Sequence, residues 1–165
     1  PLTGSSEDQL LAMIDGLENA ASLLADARVD LIAFNCTAVS TFKPDAEGDI
    51  VRRIDRVSRG ARAVTTADAL LAGLKAVGAR RIALITPYIE AVTRREVAYF
   101  EHHGFQVVCD ASYGIDTNWD MARAPAGTWY DFTLAHRRDD VDAYLLSCTA
   151  IESAEVIEPW TVRCR

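Results

Sequence analysis

Short apolar runs alternate with stretches of helical periodicity along almost the whole chain. No Asn-Gly or Asp-Gly hairpin signal separates adjacent strand candidates. Strands joined without hairpins pair in parallel through crossover helices, and ligands bind beyond their carboxyl ends. The strand candidates are residues 31–35, 61–65, 81–86 and 105–109, with Leu145 and Leu146 in the last. A Ser6/Gln9 capping box opens a first helix. Its apolar positions Leu10, Leu11, Ile14, Leu17, Ala21 and Leu24 keep helical spacing until Asp30 stops it. A second helix is expected over 49–58, with Ile50, Ile54 and Val57 on one face. Thr66 is expected to cap a helix through Val77 that Gly78 ends, and another runs to His103 and stops at Gly104. Tyr88 falls just past the strand 81–86. Residues 113–127 read as loop with a turn or two of helix, 128–138 as a helix, and 151–158 as the last helix.

One repeat runs through this pattern. Residues 30–38 read DLIAFNCTA and residues 142–150 read DAYLLSCTA, agreeing at Asp, Cys, Thr and Ala. Cys36 and Cys148 therefore each follow an apolar strand and precede Thr-Ala. If a helix starts at each, its free N–H groups lower the thiol pKa. Those N–H groups, with the Thr37 and Thr149 hydroxyls, form a cradle for a carboxylate. Asn35, Ala38 and Ala150 belong to the same substrate-binding surroundings. Two such units face to face place a thiol on each side of a small carboxylic acid. One thiolate takes a proton or adds to carbon, and the other thiol returns a proton, with no cofactor. Racemisation, isomerisation of an activated double bond, and decarboxylation with face-selective protonation all fit.

Each residue also has a plainer explanation. A strand-end cysteine taken alone is a packing residue. Tyr88, in ITPYIE, could donate to a developing oxyanion or be half-buried packing. Asn118, in GIDTNWD, could bind a carboxylate or serve a turn. His102, His103 and His136 read as surface residues. Cys109 and Cys164 lack the repeated context and read as core or incidental.

Composition narrows the partners. The 165 residues are 50% hydrophobic and 25% charged, with 17 basic and 24 acidic side chains and a formal charge of −7. That balance argues against nucleic-acid or anionic-membrane binding. No apolar run approaches the ~20 residues of a membrane span. The four cysteines match no zinc spacing, no metal site is expected, and no Gly-rich phosphate loop is present. Without a signal-peptide pattern at the N-terminus, reduced thiols in the cytoplasm are the expectation. The expected partners are a small carboxylate substrate and further copies of the chain, in a dimer or higher homo-oligomer.

FNCTAVSTF, RIALITPYIEAV, GFQVV, GID-N and LLSCTAIESAEVIE, in this order, resemble the aspartate/glutamate racemase superfamily. The branch most similar is that of maleate cis–trans isomerase and arylmalonate decarboxylase. The resemblance implies two pseudo-symmetric α/β lobes, each a parallel sheet flanked by helices, with the active site between them. The lobes would be 1–65 and 66–158, followed by a tail, 159–165, that departs from the family pattern. The resemblance makes Cys36 the nucleophile that adds to a double bond and Cys148 the partner acid/base. It has Tyr88 and Asn118 holding a substrate carboxylate. The decarboxylases keep only the second cysteine, so the presence of both thiols favours an isomerase or racemase. Relatives carry a further N-terminal strand with a substrate-binding asparagine, absent here, so the first lobe is expected to lack its opening strand. The remaining alternative is a thiol redox or carboxylate-binding protein.

Overall fold

Among the described residues every strand pairing is parallel, in two separate sheets. The computed structural model describes Gly4 and residues 6–158; Cys164 and the tail 159–165 lie outside the described residues. The first sheet pairs β1 (Leu31–Phe34) with β2 (Arg62–Thr65), from Leu31 opposite Arg62 to Phe34 opposite Thr65. The second has order β4-β3-β5: β3 (Arg81–Tyr88) in the centre, β4 (Gln106–Ile115) and β5 (Ala143–Leu146) beside it.

Helices make the crossovers that parallel pairing demands. Helices α1 (Glu7–Ala12) and α2 (Leu17–Asp26) precede β1. Between β1 and β2 lie α3 (Thr37–Ser40) and α4 (Ala46–Asp55), and α5 (Thr66–Ala76) leads to β3. Helix α6 (Glu90–His102) joins β3 to β4, while α7 (Asn118–Arg123) and α8 (Ala126–Ala135) join β4 to β5. Central β3 is covered on both faces, with Ile82, Ala83, Leu84 and Ile85 all fully buried, as its unbroken apolar run requires. One apolar core gathers α2, α4 and the first sheet and takes in Tyr88, Val92 and Met121. A second gathers α5, α6 and the second sheet.

Several local expectations shift. The first helix is broken in two. The N–H groups of Met13, Ile14 and Asp15 reach back three residues, to Leu10, Leu11 and Ala12, and Gly16, a poor helix former, separates the halves. Leu11 and Leu24, counted on the apolar stripe, face solvent. Helix α4 starts at Ala46, before the expected Asp49. The capping box of α5 is Thr65 with Asp68, one residue before the expected Thr66. Tyr88 ends β3 rather than following it.

Strand β4 runs on to Ile115, with Ser112 opposite Thr86 and Ile115 opposite Tyr88. Its polar stretch reads as loop in sequence, but an edge strand tolerates outward Asp, Ser and Gly when its neighbour supplies the ladder. The last helix starts later than expected, as a 3-10 turn at Ser153–Val156, with Ile157 and Glu158 helical after it. Among the described residues no helix is long and apolar enough to cross a membrane.

Candidate active site

Cys36 leaves the end of β1 in extended conformation and is the N-cap of α3. Its carbonyl accepts from the Ser40 N–H at 3.1 Å and from Ser40 Oγ at 2.8 Å. Ser40 Oγ also accepts from the Ala67 N–H at 3.2 Å, tying the first thiol's helix to the start of α5. The N–H groups of Ala38 and Val39 favour ionisation of the Cys36 sulfur, as the reading of a helix start anticipates.

Cys148 leaves the end of β5 differently. Its φ is +134°, a region where L side chains rarely sit. No helix starts at this thiol; the chain turns, and the Ala150 N–H donates to the Cys148 sulfur at 3.3 Å. The Tyr88 hydroxyl donates towards the same sulfur. The repeated sequence therefore makes two different thiol nests, one at a helix start and one at a strained turn.

Both thiols line one cleft between the sheets. Asn35, Thr37 and Ala38 come to it from beside Cys36, Thr149 and Ala150 from beside Cys148, and Tyr88 from the end of β3. Asn118 reaches it from the first position of α7, a helical site rather than the expected loop. The structure thus brings together all nine residues singled out in the sequence. Thr37 Oγ1 is buried without a hydrogen-bond partner, a donor open to a ligand. Asn35 Oδ1 accepts from Thr66 Oγ1 at 3.4 Å, which leaves its amide N–H groups for the cleft.

Sequence reading missed Leu10, Met13 and Met121, which form the apolar side of the cleft. Leu10 carried a signal, as the one inward position of α1. The empty volume, mouth included, is about 430 Å³, in the lower part of the range for small-molecule sites. Among the described residues no charged side chain lines it, so a carboxylate here meets N–H groups, hydroxyls and amides.

The thiols do not have the lowered pKa expected from a helix start. Burial pushes Cys36 up to about 11 despite the Val39 and Ala38 N–H groups, and the neighbouring Cys148 raises it further. Burial also raises Cys148, against the pull of the Tyr88 hydroxyl and the Ala150 N–H. Desolvation outweighs the few N–H dipoles of a four-residue helix. Tyr88 is buried too and is held well above its ordinary value.

Cys109 is a free thiol on β4, outside the cleft. His102 is exposed, but His103 is not the surface residue expected. It packs on Tyr99 at 4.5 Å between ring centroids and lies 3.6 Å from Glu47, because α4 covers that end of α6. His136 is half-buried, with Nδ1 2.8 Å from the Phe132 carbonyl. Among the described residues, no group of three or more His, Cys, Asp or Glu could hold a metal ion.

Comparison with known proteins agrees with this geometry. The sequence profile of the arylmalonate decarboxylase family matches residues 2–164. The maleate isomerase of Geobacillus stearothermophilus is 24% identical over 159 residues, 93% of this chain and 63% of that protein. The arylmalonate decarboxylase of Bordetella bronchiseptica is 28% identical over 148 residues, 88% of this chain and 62% of that protein. The chain thus spans about three-fifths of the length of these relatives. A cysteine-to-alanine variant of the maleate isomerase Iso from Pseudomonas putida, solved with maleate, superposes with a TM-score of 0.92. It is 26% identical and covers 98% of this chain and 67% of its own. With two parallel sheets, a thiol at the end of a strand in each, and a profile match over nearly its whole length, the chain belongs to the arylmalonate decarboxylase family.

Proposed function

We propose that the chain carries the active site of a cofactor-independent isomerase of small dicarboxylates, of the maleate isomerase kind. The observation that carries this reading is the pair of thiols, Cys36 and Cys148, on one uncharged cleft with Tyr88 and Asn118. In this reading Thr37, Asn118 and the backbone N–H groups around Ala38 and Ala150 hold the two carboxylates, and Asn35 and Thr149 flank them. Cys36 gives up its proton to solvent, its sulfur bonds to one alkene carbon, and the thiolate re-formed when that bond later breaks takes a proton back from solvent. The π pair moves to the other carbon, which Cys148 protonates. Rotation about the single C–C bond follows. Cys148 then takes a proton back, and the C–S bond breaks to leave the trans diacid. Atoms and electrons balance without an oxidant or reductant.

Both thiols are neutral at rest, so each turnover begins with deprotonation of a thiol whose pKa stands at about 11. The relatives support the substrate class: several are named maleate isomerases, and one solved structure holds maleate. The catalytic part divides, in this proposal, at Thr65–Thr66, where β2 ends and α5 begins. The protein acts in the cytoplasm as a homo-oligomer.

A second reading rests on Leu10, Met13 and Met121. Their apolar wall suits a malonate bearing a hydrophobic group, which would lose CO2 and take its proton from Cys148. Proton NMR in D2O separates these readings. Maleate giving fumarate signals supports the isomerase. An inert maleate with phenylmalonate giving deuterated phenylacetate replaces it by the decarboxylase, and exchange of the aspartate α-proton replaces it by a racemase.

A further inference from the structure

Helix α1 and its cap Met13 bring two apolar side chains to the cleft, yet little in their own sequence fixes their place. The helix is six residues long, and an isolated helix shorter than about 12 residues is marginal in water. Leu10 and Met13, three positions apart, share the face that lines the cleft. Met13 Sδ lies 3.9 Å from Cys36 Sγ. Directly after Met13 the chain turns into α2. The N–H groups of Met13, Ile14, Asp15 and Leu17 each reach back only three residues, at 3.2, 3.1, 3.3 and 3.3 Å. Bonds of that length, with Gly16 among them, do not by themselves hold one angle between α1 and α2.

One side chain outside the cleft ties that turn down. Arg53, half-buried on α4, donates from Nη2 to the Ile14 carbonyl at 2.6 Å. The same guanidinium grips Glu18, in the first turn of α2: Nε donates to Oε1 at 2.5 Å and Nη2 to Oε2 at 2.7 Å. Arg53 holds the Glu18 carboxyl down to about 2, so both partners are charged at neutral pH. A guanidinium is a rigid fork of donors, and here the fork spans the turn. One acceptor immediately follows Met13, and the other opens α2. Helix α4 is itself anchored in the first core by Ile50 and Ile54, so the fork stands on a fixed support. Arg53 does not line the cleft, and its route to the Cys36 thiol is the turn and Met13.

We propose that Arg53 is a positioning residue of this cleft: by holding the Ile14 carbonyl and the Glu18 carboxylate together, it sets the turn between α1 and α2 and seats Met13 against the Cys36 sulfur. Without that grip the turn loosens, Met13 leaves the thiol, and water reaches Cys36. No covalent step is involved. The role of the thiol rests on the isomerase reading, but the test uses no substrate. A chain inert towards maleate would end that reading without touching this one.

The test is the rate of alkylation by iodoacetamide at one pH on the whole chain, resolved for each cysteine by peptide mass spectrometry. Only the thiolate reacts, and water at Cys36 favours it, so Arg53→Ala should alkylate Cys36 about fivefold faster. Cys109, on β4 outside the cleft, should not change. In a Met13→Ala chain the thiol is already uncovered, so adding Arg53→Ala should bring no further acceleration. A general loosening of the fold would instead speed Cys109 too and act equally in both backgrounds. Arg53→Lys keeps the charge but not the fork, and should react at Cys36 as fast as Arg53→Ala. An unchanged Cys36 rate, an equal rise at Cys109, the same factor in the Met13→Ala chain, or a native rate in Arg53→Lys would overturn the proposal. Should Arg53→Ala fail to fold, Glu18→Gln decides, since it weakens the grip from the α2 side. The same selective rise at Cys36 is expected, absent once Met13 is alanine; an unchanged rate would overturn the proposal.

Discussion

The sulfur of Cys36 lies 3.9 Å from the thioether sulfur of Met13, a contact across 23 residues of sequence. Met13 caps the end of α1 and is itself partly exposed, so it stands between the thiol and solvent. Burial is the main reason that the Cys36 thiol stands at about 11. Met13→Ala should admit water and bring the thiol down towards its ordinary value of 9.0. Alkylation of Cys36 at fixed pH should accelerate about tenfold. Unchanged kinetics would mean that Met13 does not shield the thiol.

The two thiols should fail in different ways. Cys36→Ser should lower turnover of maleate to roughly a thousandth or less, because a serine hydroxyl offers almost no alkoxide near neutral pH. Cys148→Ser should be as severely impaired but still permit slow addition at Cys36. Intact-mass spectrometry of Cys148→Ser with maleate should then show one adduct of the substrate's mass, placed on Cys36. An unmodified variant that still exchanges a substrate α-proton for deuterium would move the assignment to a racemase.

Stability should fall between mildly acidic and mildly basic pH. The Glu96 carboxyl is raised by burial from 4.5 to about 7. Between those values the folded chain holds a proton that the unfolded chain has released, so rising pH favours unfolding. The decline levels off above the folded value and amounts to on the order of 3 kcal/mol. Glu18 and Asp140 do not interfere in this window. Arg53 and Arg138 hold them down to about 2, so their contribution is lost only in acid. Urea denaturation at about pH 5 and about pH 8 measures the slope, and Glu96→Gln should flatten it. An equal slope in the variant would assign the pH dependence elsewhere.

The positive φ of Cys148 sets a further expectation. At +134° a Cβ is strained whatever the residue, and only glycine is relieved. Cys148→Gly should therefore be more stable than Cys148→Ala by about 1 kcal/mol, reversing their usual order in regular structure. Thermal unfolding of the two variants checks this. A more stable alanine variant would show that the turn relaxes.

What the sequence by itself determined is what short-range bonds decide. The capping box at Ser6 closes within three residues, and Gly78 and Gly104 end helices at positive φ. The apolar runs that became β1, β2, β3 and β5 needed only their own composition to be recognised. The repeated Cys-Thr-Ala named both thiols and most of the residues around them.

Only the tertiary structure decided what depends on a distant neighbour. Strand β4 reaches Ile115 because β3 offers it a ladder. Whether a thiol is raised or lowered depends on how much of the chain covers it, and Met13, 23 residues away, is part of that cover. Glu96 did carry a faint sign, a lone acid on the buried stripe of α6. Its full burial arises only when the rest of the fold packs around that helix. Hydrogen bonds within a turn are set by adjacent residues, whereas desolvation sums over everything that folding brings near, so the first can be read along the chain and the second cannot.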